Sequence, residues 1–233
     1  MEFAIDSFGN RTSASVAIKG NIYTCPVCGA EVILRAGKIN IPHFSHKKNG
    51  CIDDWTYEMS EWHVGMQNKF RPEHREVVVT INEETHRADI LLRNTVIEFQ
   101  HSPISSDEFE RRLNFYINNG YDFVWVLDTT DAWERGDIQL WDNGHIRWKH
   151  VPRYLRKGPV PQWSNNFHIA IANGDKVYPI DWACVEDCVP TYKLIKANLR
   201  SPLILSSNMN EKWFFRNYRK AVEEDKYGFR KAA

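Results

Sequence analysis

The stretch from His86 to Gln100 constrains this chain more than any other. Two short apolar runs, residues 87–92 and 95–99, flank Arg93-Asn94, and such runs around a two-residue loop read as a β-hairpin. Counting outward from the loop sets Leu92 against Thr95, Asp89 against Glu98 and Arg87 against Gln100. Side chains alternate along a strand, so these last four share one face with Leu91 and Val96. The other face carries Ala88, Ile90, Leu92, Thr95, Ile97 and Phe99, which suits a core. Directly opposed residues have Cβ atoms roughly 5 Å apart, and like charges placed there repel. A divalent cation between Asp89 and Glu98 removes the repulsion, and two carboxylates with waters are a usual Mg²⁺ site. A slip of one residue would send the acids to opposite faces, so the reading depends on register.

Helix and strand signals surround the hairpin. Residues 56–70 read as a helix, with Trp62, Met66 and Phe70 at helical spacing and Pro72 helping to end it. Residues 76–81 are a β-branched run that suits a strand. Ser105 and Glu108 form a capping box. The helix it opens runs through Phe109, Leu113, Tyr116 and Ile117 to Asn119, and Gly120 is a natural stop. Residues 122–127 are almost wholly apolar, as expected of a strand buried on both faces. The order is therefore α, β, β, β, α, β. Beyond residue 130 the signal weakens. Residues 137–149 read as a hairpin around Asp142-Asn143-Gly144, and Pro152, Gly158, Pro159 and Pro161 mark a connector. Residues 167–180 read as a hairpin around Asn173-Gly174, and 211–226 as a terminal helix carrying Trp213, Phe214 and Tyr218.

Cys25 and Cys28, followed by His43, His46 and Cys51, have the spacing of a zinc site. Thiolates on a tight turn hold one side of a tetrahedral ion, and a later loop closes it. Five candidates compete for four places; Cys25, Cys28, His46 and Cys51 are favoured, with His43 as substitute. Four protein ligands make the ion structural, helping to fold a segment too small for a core of its own. Cys184 and Cys188 lack a second half and read as buried or free thiols. An odd 5 cysteines suit a reducing cytoplasm and a zinc site better than a disulfide framework.

Several pieces jointly resemble the competence protein CoiA-like nuclease family, over residues 1–130. They are Cys25-Pro26-Val27-Cys28, His43-Phe44-Ser45-His46, Glu61-Trp62-His63, Ala88-Asp89-Ile90, the run from Ile97 to Ile104, Arg112 to Tyr116, and Val124-Trp125-Val126-Leu127. Asp followed by Glu-x-Lys on such a hairpin is the arrangement of the PD-(D/E)XK superfamily. Gln100 stands where Lys is common, as it does in the CoiA-like family, whereas Gln67 departs from the Lys the family often has four residues after the helix His. The resemblance implies an α/β chain with a restriction-endonuclease-like αβββαβ core at 55–130. A zinc-binding segment at 1–54 precedes it, and a C-terminal extension at 131–233 follows. It further implies hydrolysis of DNA phosphodiesters by metal-activated water, in DNA uptake, recombination or foreign-DNA processing. On that reading Asp89 and Glu98 ligate Mg²⁺ or Mn²⁺ and Gln100 orients the water or a phosphate oxygen. Glu61 (or Glu58) and His63 assist from the helix, while Arg112 and Tyr116 flank the site and contact nucleic acid. Arg87, next to the acids, either pairs with Asp89 or joins those two at the nucleic acid.

Other readings of the same residues stand beside these. Asp89 and Glu98 can also be a solvated hairpin edge, His63 an ordinary helix His, and Arg111 plain surface charge. Arg147, Lys149, His150, Arg153, Arg156 and Lys157, interleaved with Trp148 and Tyr154, suit either a backbone-gripping strip or a solvated connector. Trp125 reads as core. Gln100 and Gln67 also fit a second class, a non-catalytic nucleic-acid-binding protein on a degenerate nuclease scaffold. A third is a protein-interaction module, and the C-terminal extension offers a surface for a second copy or a protein partner. Lys+Arg and Asp+Glu are both 30, so a DNA surface must come from local clustering. Apolar runs fall far short of the roughly 20 residues of a membrane span. Met1-Glu2-Phe3-Ala4 lacks the basic-then-apolar start of a signal peptide, so a cytoplasmic location without membrane contact is expected.

Overall fold

Two sheets organise the chain. The computed structural model describes residues 1–37, 41–47, 51, 53, 55, 60–140, 145–152, 155, 166–189, 192–197 and 203–204. Several expectations lie outside the described residues: the turn at 142–144, the connector at 158–161, the terminal helix at 211–226, Glu58, and Arg153, Tyr154, Arg156 and Lys157. The side chains of Cys184 and Cys188 lie outside them too.

The first sheet contains β1 (Phe3–Asp6), β2 (Arg11–Ser13), β3 (Tyr23–Thr24), β4 (Glu31–Arg35) and β5 (His43–His46), in the order β2-β1-β3-β4-β5. Its register sets Tyr23 against Val32 and Leu34 against Phe44. These four pack with Met1, Ala4, Ala14 and Cys25. The segment expected to be too small for a core of its own therefore has a modest apolar one. Glu76 ties this sheet to the second one: its carboxylate accepts the amide hydrogens of Glu2, at 2.9 and 2.8 Å, and of Phe3, at 3.1 Å.

The second sheet begins after α1 (Glu61–Gln67), with β6 (Arg75–Ile81), β7 (Glu84–Leu92) and β8 (Thr95–Gln100). Then come α2 (Ser106–Ile117), β9 (Asp122–Asp128), α3 (Thr130–Glu134), β10 (Ile138–Leu140) and β11 (His145–Lys149). The last strands are β12 (Phe167–Asn173), β13 (Lys176–Val189), β14 (Tyr192–Ala197) and β15 (Leu203–Ile204). The order is β10-β11-β14-β13-β12-β9-β8-β7-β6, with β15 on β13. β8, β9 and β12 run parallel and the other pairs antiparallel. A parallel neighbour needs a crossover, which α2 supplies between β8 and β9. The fold is mixed α/β and dominated by sheet. The sheet runs on past residue 130, because β12 lies beside β9. Among the described residues no helix is long and apolar enough to cross a membrane.

The hairpin register is the one counted from the sequence: Ile90 faces Ile97, Leu91 faces Val96 and Leu92 faces Thr95. Arg93 takes the left-handed turn position at φ 53, and the Asn94 amide donates to the Gly120 carbonyl. Both sheet faces are covered. Ile90, Leu92, Ile97, Phe99, Val124 and Val126 pack under Met66 and Phe70. Val96, Trp125 and Leu127 pack under Phe109, Leu113 and Tyr116 of α2. Each large side chain fully buried this way contributes about 1.5–3 kcal/mol.

Local ends depart from the sequence reading. α1 begins only at Glu61, after Ser60 caps it by accepting the His63 amide hydrogen. α1 stops at Gln67, because Phe70 leaves the helical path to pack its ring 6.2 Å from that of Phe99. Only half of the capping box forms. Ser105 Oγ accepts the Glu108 amide hydrogen at 3.1 Å, but the Glu108 carboxylate turns to Arg112. The β12–β13 turn falls on Gly174-Asp175, one residue later than expected, since Asn173 pairs with Lys176 and Gly174 takes φ 58.

Candidate active site

β7 and β8 pair as far as Ile90 and Ile97. One step further from the turn stand Asp89 and Glu98, and there side chains replace the ladder. The Asp89 amide donates to Glu98 Oε1 at 3.3 Å, and the Phe99 amide donates to Asp89 Oδ2 at 2.8 Å. Both acids are buried, at 3% and 1% exposure. From α1, His63 Nε2 at 3.1 Å and Gln67 Nε2 at 2.9 Å both donate to Asp89 Oδ1. These two residues are one turn apart and so share a helix face. From α2, Arg112 donates to Glu98 Oε2 at 3.3 Å and also to Glu108.

The two carboxyls are driven apart electrostatically. Burial raises the pKa of Asp89, but His63, the Phe99 amide and Arg112 outweigh it and hold the group below its ordinary value. Burial, then the charge of Asp89, pushes Glu98 well above the carboxylate range against the pull of Arg112. Two acids with split affinities for a proton also make a place where a cation is welcome. Gln67 Oε1 is buried with no hydrogen-bond partner among the described residues. Carboxylates and amide oxygens are hard donors of the kind Mg²⁺ and Mn²⁺ take. Arg112 is thus anchored twice, on Glu98 Oε2 and on Glu108.

Other expected site residues fall elsewhere. Glu61 is exposed; it sits two positions before His63, about 200° around the helix, and so faces away from Asp89. The Gln100 amide donates to the Ser102 carbonyl and not towards the acids. Arg87, expected at nucleic acid, is buried and lies 3.9 Å from the Glu76 carboxylate. Arg112 is buried too, between Glu98 and Glu108. Tyr116 is fully buried among Trp55, Phe115 and Phe123. None of these three offers a surface to DNA in this arrangement. Trp148 of the basic strip is core as well.

The sequence reading missed Gln67 as a partner of Asp89, although its spacing of four from His63 could have shown it. It also missed a buried cluster on the segment following Cys51. Asp53 Oδ1 pairs with His86 Nδ1 at 2.9 Å, and Asp53 Oδ2 accepts the Arg87 amide hydrogen at 3.2 Å. Trp55 stacks on the His86 ring at 3.5 Å, and the Arg112 guanidinium lies 5.2 Å from the Trp55 ring centre. No local pattern announces such long-range contacts.

Cys25, Cys28, His46 and Cys51 meet, with ligand atoms all within 4.8 Å of one another. The Cys25 and Cys51 sulfurs are 4.0 Å apart, and Cys28 Sγ is 3.4 Å from His46 Nε2. Tetrahedral zinc–sulfur and zinc–nitrogen bonds imply edges of about 3.8 and about 3.6 Å, so the cluster can hold zinc. Burial, with Cys25 and Cys28 nearby, pushes the Cys51 thiol up to about 12, and a dication at the centre reverses that penalty. His43 stands apart: it is three residues from His46 on β5, hence on the other face, and its Nδ1 donates to the Ile41 carbonyl at 2.9 Å.

Comparison with known proteins points the same way. Residues 9–51 match the family model of the competence protein CoiA N-terminal domain, and residues 66–151 match that of the CoiA nuclease-like domain. Together they span more than half of the chain. The competence protein CoiA of Bacillus subtilis (strain 168) is 27% identical over 123 residues, covering 47% of this chain and 32% of that protein. The match thus spans about a third of the relative's length. No solved structure matches. The chain belongs to the competence protein CoiA-like family and carries its nuclease-like domain.

Proposed function

We propose that this chain is a divalent-metal-dependent nuclease that hydrolyses DNA phosphodiesters on a restriction-endonuclease-like core, α1-β6-β7-β8-α2-β9. The Asp89–Glu98 fork carries the reading: two buried acids face each other where the β7–β8 ladder stops, inside the segment that matches a nuclease-like domain. Asp89 and Glu98 would hold the ion, with Gln67 Oε1 as a further oxygen donor. When bound, Mg²⁺ or Mn²⁺ supplies charge neutralisation at the scissile phosphate and a lowered pKa for water. His63 and Gln67 keep Asp89 charged and fixed in orientation. Gln100, two residues from Glu98 on the same strand face, can release Ser102 and donate to a phosphate oxygen or to water, without the charge a Lys would bring. Arg112 balances Glu98 until an ion takes its place.

Zinc at the Cys/His cluster is structural on this reading, and a reducing cytoplasm keeps its thiols available. The family's association with competence suggests DNA uptake, recombination or foreign-DNA processing as the setting. To test the activity, zinc-loaded protein is incubated with labelled single-stranded, double-stranded and branched DNA, with Mg²⁺, Mn²⁺ or neither, beside Glu98→Ala. Cleavage that needs the ion and disappears in the variant supports the proposal. Binding without cleavage in every condition would make the chain a non-catalytic DNA binder.

A further inference from the structure

Three parallel strands, β8, β9 and β12, end on the same side of the sheet, and ligands of α/β sheets collect outside such carboxyl ends. One residue beyond β8 is His101, and the last residue of β9 is Asp128. The His101 Nδ1 donates to Asp128 Oδ2 at 2.7 Å. Asp128 is itself built in. Its side chain is 8% exposed, and its Oδ1 accepts the Thr130 amide hydrogen at 3.0 Å and the Thr130 hydroxyl at 2.6 Å. Thr130 Oγ1 then accepts the Gly174 amide hydrogen at 3.0 Å. On the other side the Trp62 ring lies 6.2 Å from the His101 ring, and Trp62 Nε1 is anchored on the Gly174 carbonyl at 3.3 Å.

This network fixes an imidazole whose side chain is still 39% exposed. A carboxylate on one ring nitrogen sets the orientation of the other. Nδ1 is committed inward, and Nε2 has no partner among the described residues. An ordinary surface His–Asp pair leaves both side chains mobile; here Asp128 and Trp62 flank the ring, and Thr130 and Gly174 brace those two in turn. The ring also adjoins Gln100, and Trp62 links it to Phe99 and α1, the helix that supplies His63 to Asp89.

We propose that His101, positioned by Asp128, contacts a backbone phosphate of the nucleic-acid substrate through Nε2. In the imidazolium form the ring donates Nδ1–H to Asp128 and Nε2–H to a non-bridging phosphate oxygen. No bond is made or broken in this step. His101 thereby takes the phosphate-contacting role that burial denies Arg87, Arg112 and Tyr116. The inference rests on the nuclease reading for its substrate, but it can fail separately.

The test uses the full zinc-loaded chain and a labelled DNA oligonucleotide. Binding is followed by fluorescence anisotropy in Ca²⁺ over a range of salt, and cleavage in Mg²⁺ over a range of DNA concentration. His101→Ala should raise Kd and KM about tenfold, with a smaller effect on kcat, and lower the salt slope by about one. Asp128→Asn should shift KM in the same direction, and His101→Gln, an uncharged donor, should recover part of the affinity and none of the slope. If wild type cleaves and His101→Ala matches it in Kd, KM and salt slope, the inference is wrong while the nuclease reading stands. If wild type binds but never cleaves and His101→Ala binds more weakly, the nuclease reading fails and the contact stands. Wild type that neither binds nor cleaves overturns both.

Discussion

Glu98→Gln separates the strain of burying an acid beside Asp89 from the use the fold makes of it. Burial, then Asp89, holds the Glu98 carboxyl well above its ordinary value. For a carboxyl raised on folding, the stability it contributes is fully present below its unfolded pKa, near 4.3, and is lost as pH rises through the folded pKa. Gln has no such loss. Without added ion the variant should therefore exceed wild type by an amount that grows with pH, by about 1.4 kcal/mol per pH unit inside that window. Arg112 keeps Glu108 as a partner, so the substitution does not strand a buried cation. Added Mn²⁺ should raise wild type more than the variant. At a concentration a hundredfold above Kd, a ligand bound only by the folded state adds about 2.7 kcal/mol. That corresponds to a Tm rise of roughly 5–10 °C for a chain of this size. The assay is thermal unfolding of zinc-loaded wild type and variant at about pH 6 and about pH 8, with and without Mn²⁺, which brackets the neutral range. An equal Mn²⁺ shift in both proteins would show that the ion binds elsewhere, and a variant that loses stability with pH as wild type does would refute the electrostatic assignment.

Further expectations concern the parts that support the fork. Cys28→Ser should lower zinc content to near zero and remove hydrogen-exchange protection from β3–β5 first, because the cluster shares a core with Tyr23, Val32 and Phe44; protection that survives with zinc absent would make the ion dispensable. Trp55→Ala removes a ring stacked on His86 and edge-on to Phe115 and Tyr116, and should cost about 3–5 kcal/mol in urea unfolding. For His86, burial lowers the pKa but hydrogen bonds to Asp53 and Glu84 more than restore it, so the net shift is upward. Its contribution is present below about pH 6.5 and lost as pH rises through the raised value. The stability gap between wild type and His86→Asn should accordingly narrow from acid to alkaline pH; a constant gap would mean that the ring is held uncharged.

Local chemistry was legible in the sequence, and directions across the fold were not. The Arg93-Asn94 loop fixed the register that opposes Asp89 and Glu98, and the Cys25-Cys28 pair marked the Cys/His cluster. Gly120 ended α2 near where its position suggests. What misled was residue type. Arg87 and Arg112 are usually exposed residues, yet each is buried against a carboxylate whose sequence distance hides the pairing: Glu76 for one, Glu98 for the other. Helical spacing put Arg112 and Tyr116 on one face correctly, but spacing cannot say whether that face meets solvent or the sheet. The pairing of β12 beside β9, across more than a helix and two strands, had no local sign either. The same holds for Asp53 and Trp55, whose partners lie on β7 and α2.

Single-turnover cleavage by Glu98→Gln, beside wild type matched for zinc content and DNA affinity, bears most directly on the role of the fork. Loss of a residue that merely supports a metal ligand costs roughly 10–100-fold, so removal of a ligand should cost more than that in Mg²⁺ while the fold and DNA binding persist. Cleavage by the variant at the wild-type rate would contradict the assignment of Asp89 and Glu98 as the catalytic pair.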